Sequence, residues 1–469
     1  MTSRIALATA LAAACASRPP PAPLPSPAPP APAPAPAPPA PPAVVVADDP
    51  PAPPSPCHAL PPPPRCPDAA PCPVRAHAAA QCDGLWPTSI VASPDGTTAV
   101  ASLRWSTARA ATLLTFDDAG VTRDAPLPDA MGVIRLAATD GGLRVVSATQ
   151  AAPSAVSSVV GAPGRELLPG DARIVLGASA GGGGRFDVLL AHGGTFPVGL
   201  HLATRAPDGA WTSLALGTSP WPYAALTHDA AGRPVTAWCS LAPGGRAVDL
   251  AARVGEAAPR VVLPRAACGD AALTAVTVGD ALVLVYRATE LRVVAPDGRG
   301  RHVELRVPDT AQPRIDTCPA LTRFTSPDAP PRRCTARATG AAAHALVTTG
   351  GRAWVAWIEA RLEVDLHVEP HCHPVDPVGP RVPRPHCEEE VTRLDDRSEA
   401  ALVARPVVLG GQRPSLGEAV RVPLGRVPDG RFALLLDASG DAVHAVTAVE
   451  ARGDGGTMHR LVLALPAAR

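Results

Sequence analysis

The sequence predicts an all-β fold: a β-propeller of about seven four-stranded blades, preceded by a disordered Pro/Ala-rich tether. The spacing allows six to eight blades. Three observations carry this prediction. From about residue 88, short apolar runs alternate with Gly/Asp turns and show almost no helical period. One motif, an apolar strand, a turn and a second apolar strand, recurs with turn glycines at Gly96, Gly141, Gly183, Gly232, Gly279, Gly350 and Gly440. The first four intervals, 45, 42, 49 and 47 residues, match the length of a propeller blade.

The elements follow in order. Residues 1–15, MTSRIALATALAAAC, follow the plan of an export signal, with one positive residue, Arg4, and an apolar run from Ile5 to Ala14. The run Leu11-Ala12-Ala13-Ala14-Cys15 resembles a bacterial lipobox, with Ala12 where leucine is usual. That resemblance implies lipid attachment at Cys15. The alternative is simple secretion, with cleavage after Ala14-Cys15-Ala16. Residues 16–64 are dominated by proline and alanine, cannot bury an apolar face, and read as an extended polyproline II spacer. At about 3.1 Å per residue such a spacer reaches on the order of 100 Å or more. A lipid tether gives it a purpose. Residues 65–87 form a cysteine-containing lead-in, and residues 88–469 the propeller.

Composition narrows the function classes. The net charge of the 469 residues is zero, so no global field points to nucleic acid or to an anionic membrane. All 42 basic residues are arginine, and lysine and asparagine are absent, as a GC-rich genome produces. Schiff-base chemistry, P-loop lysines and Asn-linked glycosylation are thereby excluded. No stretch approaches eighteen uninterrupted apolar residues, so membrane contact is expected only through the lipid. Besides Cys15 there are ten cysteines: Cys57, Cys66, Cys72, Cys82, Cys239, Cys268, Cys318, Cys334, Cys372 and Cys387. An even number in an exported chain suggests five disulfides.

Within the propeller, ELRVVAPDGRGRHVELRV and LHLATRAPDGAWTSLAL read as outer hairpins of blades. The last two glycine intervals, 71 and 90 residues, hold insertions at about 308–339 and 366–398. The longer interval leaves room for an eighth blade. The chain ends on TMHRLVLALP, a third strand without a fourth, which residues near 74–90 are placed to supply. The turn Ser93-Pro94-Asp95-Gly96 between apolar strands resembles the WD40-like repeats of periplasmic TolB-type propellers. This resemblance implies a fold over residues 88–469 and brings no catalytic residue with it.

Several motifs have a plainer reading. Gly177-Ala178-Ser179-Ala180-Gly181 matches the G-x-S-x-G elbow, but glycines and a strand follow where a helix is required. Arg452-Gly453-Asp454 reads as a hairpin turn. The adjacent acids Asp117-Asp118, Asp395-Asp396 and Glu388–Glu390 alternate across a strand and make poor acid–base pairs. Trp105, Trp238, Trp354 and Trp357 fall on inner strands, where packing between blades is favoured over ligand stacking, and Trp354 and Trp357 should face opposite sides. No catalytic residue is assigned.

Residues 367–390, HVEPHCHPVDPVGPRVPRPHCEEE, carry the most chemistry. A metal site, a catalytic thiol with its base, and a disulfide-closed loop all fit the composition. The alternating flanks LEVDLHVE and EEVTRL predict an extended hairpin that sets Cys372 opposite Cys387 as a disulfide. His371, His373 and His386 are then expected not to form a structural metal site; a secondary, exchangeable zinc or copper site is the alternative left open for them. The expected function is binding or scaffolding at the envelope by an exported, lipid-anchored monomer. It would be located at the outer membrane or in the periplasm, with no cofactor and with an envelope protein or glycan as partner. Two alternatives stand beside it: a glycoside hydrolase or lyase using the propeller funnel, and metal handling through the His/Cys insertion. Binding is favoured over enzyme activity.

Overall fold

The structure, a computed structural model, describes residues 57–61, 73–82, 84–104, 111–127, 130–149, 154–172, 174–192, 196–242, 245, 247–266, 268, 273–287, 290–295, 303–308, 330–373, 386–410, 413–427, 430–451 and 456–465. They form a β-propeller of seven antiparallel blades, occupying residues 85–127, 130–167, 174–219, 224–263, 274–306, 332–426 and 430–464. The first strand of each blade packs beside the first strands of both neighbouring blades, and blade seven returns to blade one. The 90-residue glycine interval contains the remainder of blade six with its extension, so the count is seven.

Blade seven is closed from the other end of the chain. Its three strands Gly430–Ser439, Ala442–Ala451 and Gly456–Ala464 are joined by Val74–Cys82 and then by Cys57–Leu60. A Cys57–Cys82 disulfide ties these last two strands together. An open propeller would expose a strand edge; here the N-terminal strands cover it.

The core explains why the strands read as unbroken apolar runs. Each blade is packed on both faces, so both parities of a strand must be apolar. In Phe186–Ala191, Phe186, Val188 and Leu190 pack toward blade two, while Leu189 and Ala191 pack toward blade four. The same rule sends Trp354 to blade seven and Trp357 to blade five, opposite sides as expected. One apolar cluster fills each of the seven seams between blades. Trp238, 1% exposed, sits in the seam of blades three and four. Packing between blades is thus the role of all three tryptophans; Trp105 lies outside the described residues.

The turns obey glycine chemistry with one displacement. At the second turn it is Gly142 (φ +109°), not Gly141, that takes the left-handed backbone. At Gly232 (φ +72°) a Cβ would stand 3.0 Å from the backbone nitrogen of Gly182, so the two neighbouring blade turns touch here because Gly232 lacks a side chain.

Blade six departs from the others. Its first two strands, Arg332–Thr349 and Arg352–His373, run 18 and 22 residues and continue past the ring as a paired extension. The strand His386–Asp396 adds to this extension. Within the insertion expected near 366–398, the flanks pair as the extended hairpin that their alternation predicted, over residues 366–373 and 386–396.

Candidate functional site

Side-chain hydrogen bonds sew the innermost strands together at every seam. Ala92 N donates to Asp437 Oδ2 (2.7 Å) between blades seven and one, and Leu136 N to Ser89 Oγ (2.9 Å) between one and two. Arg135 Nε donates to Leu176 O (2.9 Å) between two and three. Ser179 Oγ lies 3.1 Å from His228 Nδ1 between three and four. Thr277 Oγ1 donates to His228 O, Thr348 Oγ1 to Thr277 O (3.3 Å) and Thr349 Oγ1 to Gly440 O (3.2 Å), completing the circle. Burial pushes the Arg135 guanidinium down to about 10 and raises the Asp437 carboxyl.

The Ser179 seam contains an arrangement that the sequence motif alone did not reveal. His228 Nε2 is 2.9 Å from Asp187 Oδ2, so serine, imidazole and carboxylate stand in a chain. Such a chain is the template of an activated serine. The surroundings instead mark it as a structural lock. Asp187, fully buried, also accepts from Thr204 Oγ1 (2.6 Å) and from Arg185 Nε (2.9 and 3.0 Å). Burial works to raise the Asp187 carboxyl, but the bonds from His228 and Thr204 and the Arg185 charge outweigh it and hold it below its ordinary value. A related group occupies the seam of blades seven and one. There Thr98 Oγ1 meets His444 Nδ1 (2.7 Å), and the fully buried Arg460 donates to Thr98 (3.0 Å) and Asp118 (2.7 Å). Two seams use one chemical vocabulary. Neither Asp187 nor His228 could be found from the sequence, because they lie on different strands and only the ring brings them to Ser179.

The acidic pairs resolve into structural roles. Asp117 accepts from the backbone of Ala119 and Gly120, and Asp118 pairs with Arg460. Asp396 accepts from Ser398 N, and Asp395 lies 3.8 Å from Arg397.

The extension of blade six is the candidate functional surface. Its even-numbered positions Leu362, Val364, Leu366 and Val368 are buried, continuous with the apolar cluster between blades six and seven. Its odd-numbered positions form a polar ladder. Glu363 pairs with Arg337 (2.9 Å) and Arg397 (3.2 Å), and Asp365 with Arg397 (3.0 Å) and Thr335 (2.6 Å). His367 Nε2 lies 2.7 Å from Glu369, and His371 Nδ1 3.5 Å from Glu390. The Arg337 hydrogen bond is the leading reason that Glu363 sits below its ordinary carboxylate range. These pairs are largely exposed and add little stability. The buried face holds the extension; the polar face is presented.

Where the extension meets the ring, a cleft of ≈ 870 Å³ opens over Gly340, Ala341, Ala360, Ala400 and Ala401, with Glu359, Glu399, Arg361 and Arg421 at its walls. The hydrolase alternative expected acids converging from different blades. Both acids of this cleft belong to blade six, and Glu359 is held by Arg421 and by Trp357 Nε1 (3.3 Å).

Of the cysteines, Cys57–Cys82 and Cys239–Cys268 are disulfides, and Cys334 is also disulfide-bonded. Cys372 stands directly opposite Cys387 in the register, and His373 opposite His386. Cys15, Cys66, Cys72, Cys318 and Arg452-Gly453-Asp454 lie outside the described residues.

Closed blades, sewn seams and disulfides together define a disulfide-tied seven-bladed β-propeller, and disulfides fit an exported protein. Among the described residues no helix is long and apolar enough to cross a membrane. No family model matches the chain, and no curated protein matches it. Among solved structures, the chain is similar to an inactive virginiamycin B lyase from Staphylococcus aureus, at 11% identity and a TM-score of 0.43, over 82% of this chain and 99% of that one. It is also similar to BamB from Moraxella catarrhalis, at 12% identity and a TM-score of 0.36, over 81% and 98% of the two chains. A polysaccharide lyase, Uly1, is similar at 9% identity and a TM-score of 0.35, over 81% and 90%. At these identities the likeness is one of fold alone.

Proposed function

We propose that this protein is an exported propeller that acts as a binding or scaffold protein at the cell envelope. In this reading it is lipid-anchored at Cys15 and held off the membrane by residues 16–64. The observation that carries the binding role is the blade-six extension, a polar surface built on a buried apolar face and rooted in a closed, disulfide-tied ring. Rigid elements of this kind preorganise a recognition surface, so little entropy is lost when a partner docks. An envelope protein or a glycan is the partner class that such a surface and location suit. Two measurements test the proposal. A photo-crosslinking residue at Arg361 or Glu369 should give a discrete adduct in intact cells, and one at Arg233, on the turn of blade four, should not. Adducts of equal yield at both places would reject the extension as the binding surface. Separately, Cys15→Ala should move the protein from membranes to the soluble fraction, and unchanged partitioning would reject the anchor.

A further inference from the structure

We propose that the pocket between blades one and two binds a small aliphatic carboxylate, its tail held in the seam and its carboxylate on Arg123. The pocket has a volume of ≈ 400 Å³, within the range of small-molecule sites. It lies beside turns 93–97 and 140–141, which join the first and second strands of these two blades. The extension of blade six leaves the ring at the far ends of the corresponding strands, so this site is separate from the binding surface proposed above.

Register builds the blade-one wall. Val91 pairs with Ala99, Ala99 with Thr115, and Thr115 with Arg123, so each of the four strands adds one residue to a single row. All four residues line the pocket. With neighbouring strands about 4.8 Å apart, the row runs about 14 Å from the innermost strand to the outermost. Polarity rises along it, from an isopropyl group through a methyl and a hydroxyl to a guanidinium. Ala138, Leu143 and Val160 of blade two close the other side. The same seam is filled further along the strands by Ile134 and Leu136. It stays open here because Ala99, Ala125 and Ala138 are short.

Arg123 is the one charged group among the described residues that line the pocket. No described ion pair or side-chain hydrogen bond engages its guanidinium. Arg144, Arg185 and Arg205, on the next two blades, are each matched by a carboxylate. Asp95, on the adjoining turn, already accepts from Thr97 N (2.9 Å) and Thr97 Oγ1 (2.7 Å). An unneutralised guanidinium at the outer end of an apolar cleft selects an anion, and its parallel donors fit a carboxylate. The apolar row behind it selects an aliphatic tail over a compact inorganic anion. Among the described residues no aromatic side chain lines the pocket, so a sugar ring would find nothing to stack on.

The test titrates the full chain by calorimetry at pH 7.5 with octanoate, hexanoate and octanol. Octanoate should bind at one equivalent. At about fourfold per buried methylene, hexanoate should bind about fifteenfold more weakly. Octanol lacks the charge and should be weaker than octanoate by about tenfold or more. Arg123→Gln should erase that preference and leave the melting temperature unchanged, because the guanidinium supports no other described group. Ala125→Leu extends a side chain into the cleft and should abolish octanoate binding. Arg233→Gln, on the turn of blade four, is the control and should bind octanoate as the native chain does. Equal affinities for octanoate and octanol, or for octanoate and hexanoate, would overturn the proposal. So would octanoate binding that Arg123→Gln leaves unchanged, binding of several equivalents, or no binding at millimolar octanoate.

Discussion

Ser179 shows how a single residue changes meaning between sequence and structure. Its motif reads as chance, because a strand follows it, yet its hydroxyl meets an imidazole backed by a buried carboxylate. As a lock, Ser179→Ala should cost about 1 kcal/mol and should leave cooperative unfolding intact. Asp187→Ala strips the partner from Arg185, Thr204 and His228 at once and should cost about 3 kcal/mol or more, as read in denaturant melts. A fluorophosphonate probe should leave Ser179 unlabelled, and labelling there would instead make the chain catalytic. Two other histidines set a pH dependence. Burial depresses His459 to about 3 and His444 to about 4, each below the ordinary 6.5. The unfolded chain then binds more protons than the folded one in this window. Their contribution is fully present above pH 6.5 and is lost as pH falls toward 4 and then 3. The carboxylates held low, such as Asp187 and Glu363, act only below about pH 4, whereas Asp437, held high by burial, gains stability as pH falls and opposes the histidines in this window. The histidines are therefore read by difference. The melting temperature of the chain should fall more steeply between pH 6.5 and 4.5 than that of a His444→Gln/His459→Gln variant, and identical slopes would contradict their buried, neutral state.

At the scale of elements, the hairpin of blade six and the closing strand of blade seven carry the sharpest expectations. Non-reducing peptide mapping should recover a linked Cys372–Cys387 peptide, since the two positions face each other in register. Closing about fifteen residues stabilises by about 3 kcal/mol in the chain-entropy model. The hairpin could be read ahead of the structure because its flanks alternate strictly, and alternation fixes which residues pair across. Its continuity with the first two strands of blade six could not be read. Arg332–Gly340 has its charges at Arg332, Arg333 and Arg337 rather than at every second position, and such a pattern fits an exposed loop as well as a sheet with one buried face. Only the apolar seam of blades six and seven, reaching up to Leu362, Val364 and Leu366, decides between them.

For the molecule as a whole, closure of the ring is the property most open to test. A chain starting at residue 84 lacks Val74–Cys82 and leaves Gly456–Ala464 as a bare edge. It should aggregate or lose its cooperative melt, because an unpaired, apolar edge strand invites pairing with another chain. A soluble monomer with an unchanged melting temperature would show that the N-terminal strands are dispensable. Breaking only the disulfide, with Cys57→Ser and Cys82→Ser, should give a milder loss, because the strand pairing itself remains.

The sequence by itself determined the all-β class, the blade period and the inner and outer hairpins, because these follow from local alternation and from turn glycines at fixed intervals. It also determined the burial of Trp238, Trp354 and Trp357, since a strand packed on both faces leaves no exposed parity. The blade number, the lock at Ser179, Asp187 and His228, and the continuation of the first two strands of blade six into the hairpin were settled by the three-dimensional arrangement. Each of these depends on which strands become neighbours. That choice is made by seam packing and ring closure between residues as far apart as Thr98 and Arg460, and no local pattern records it.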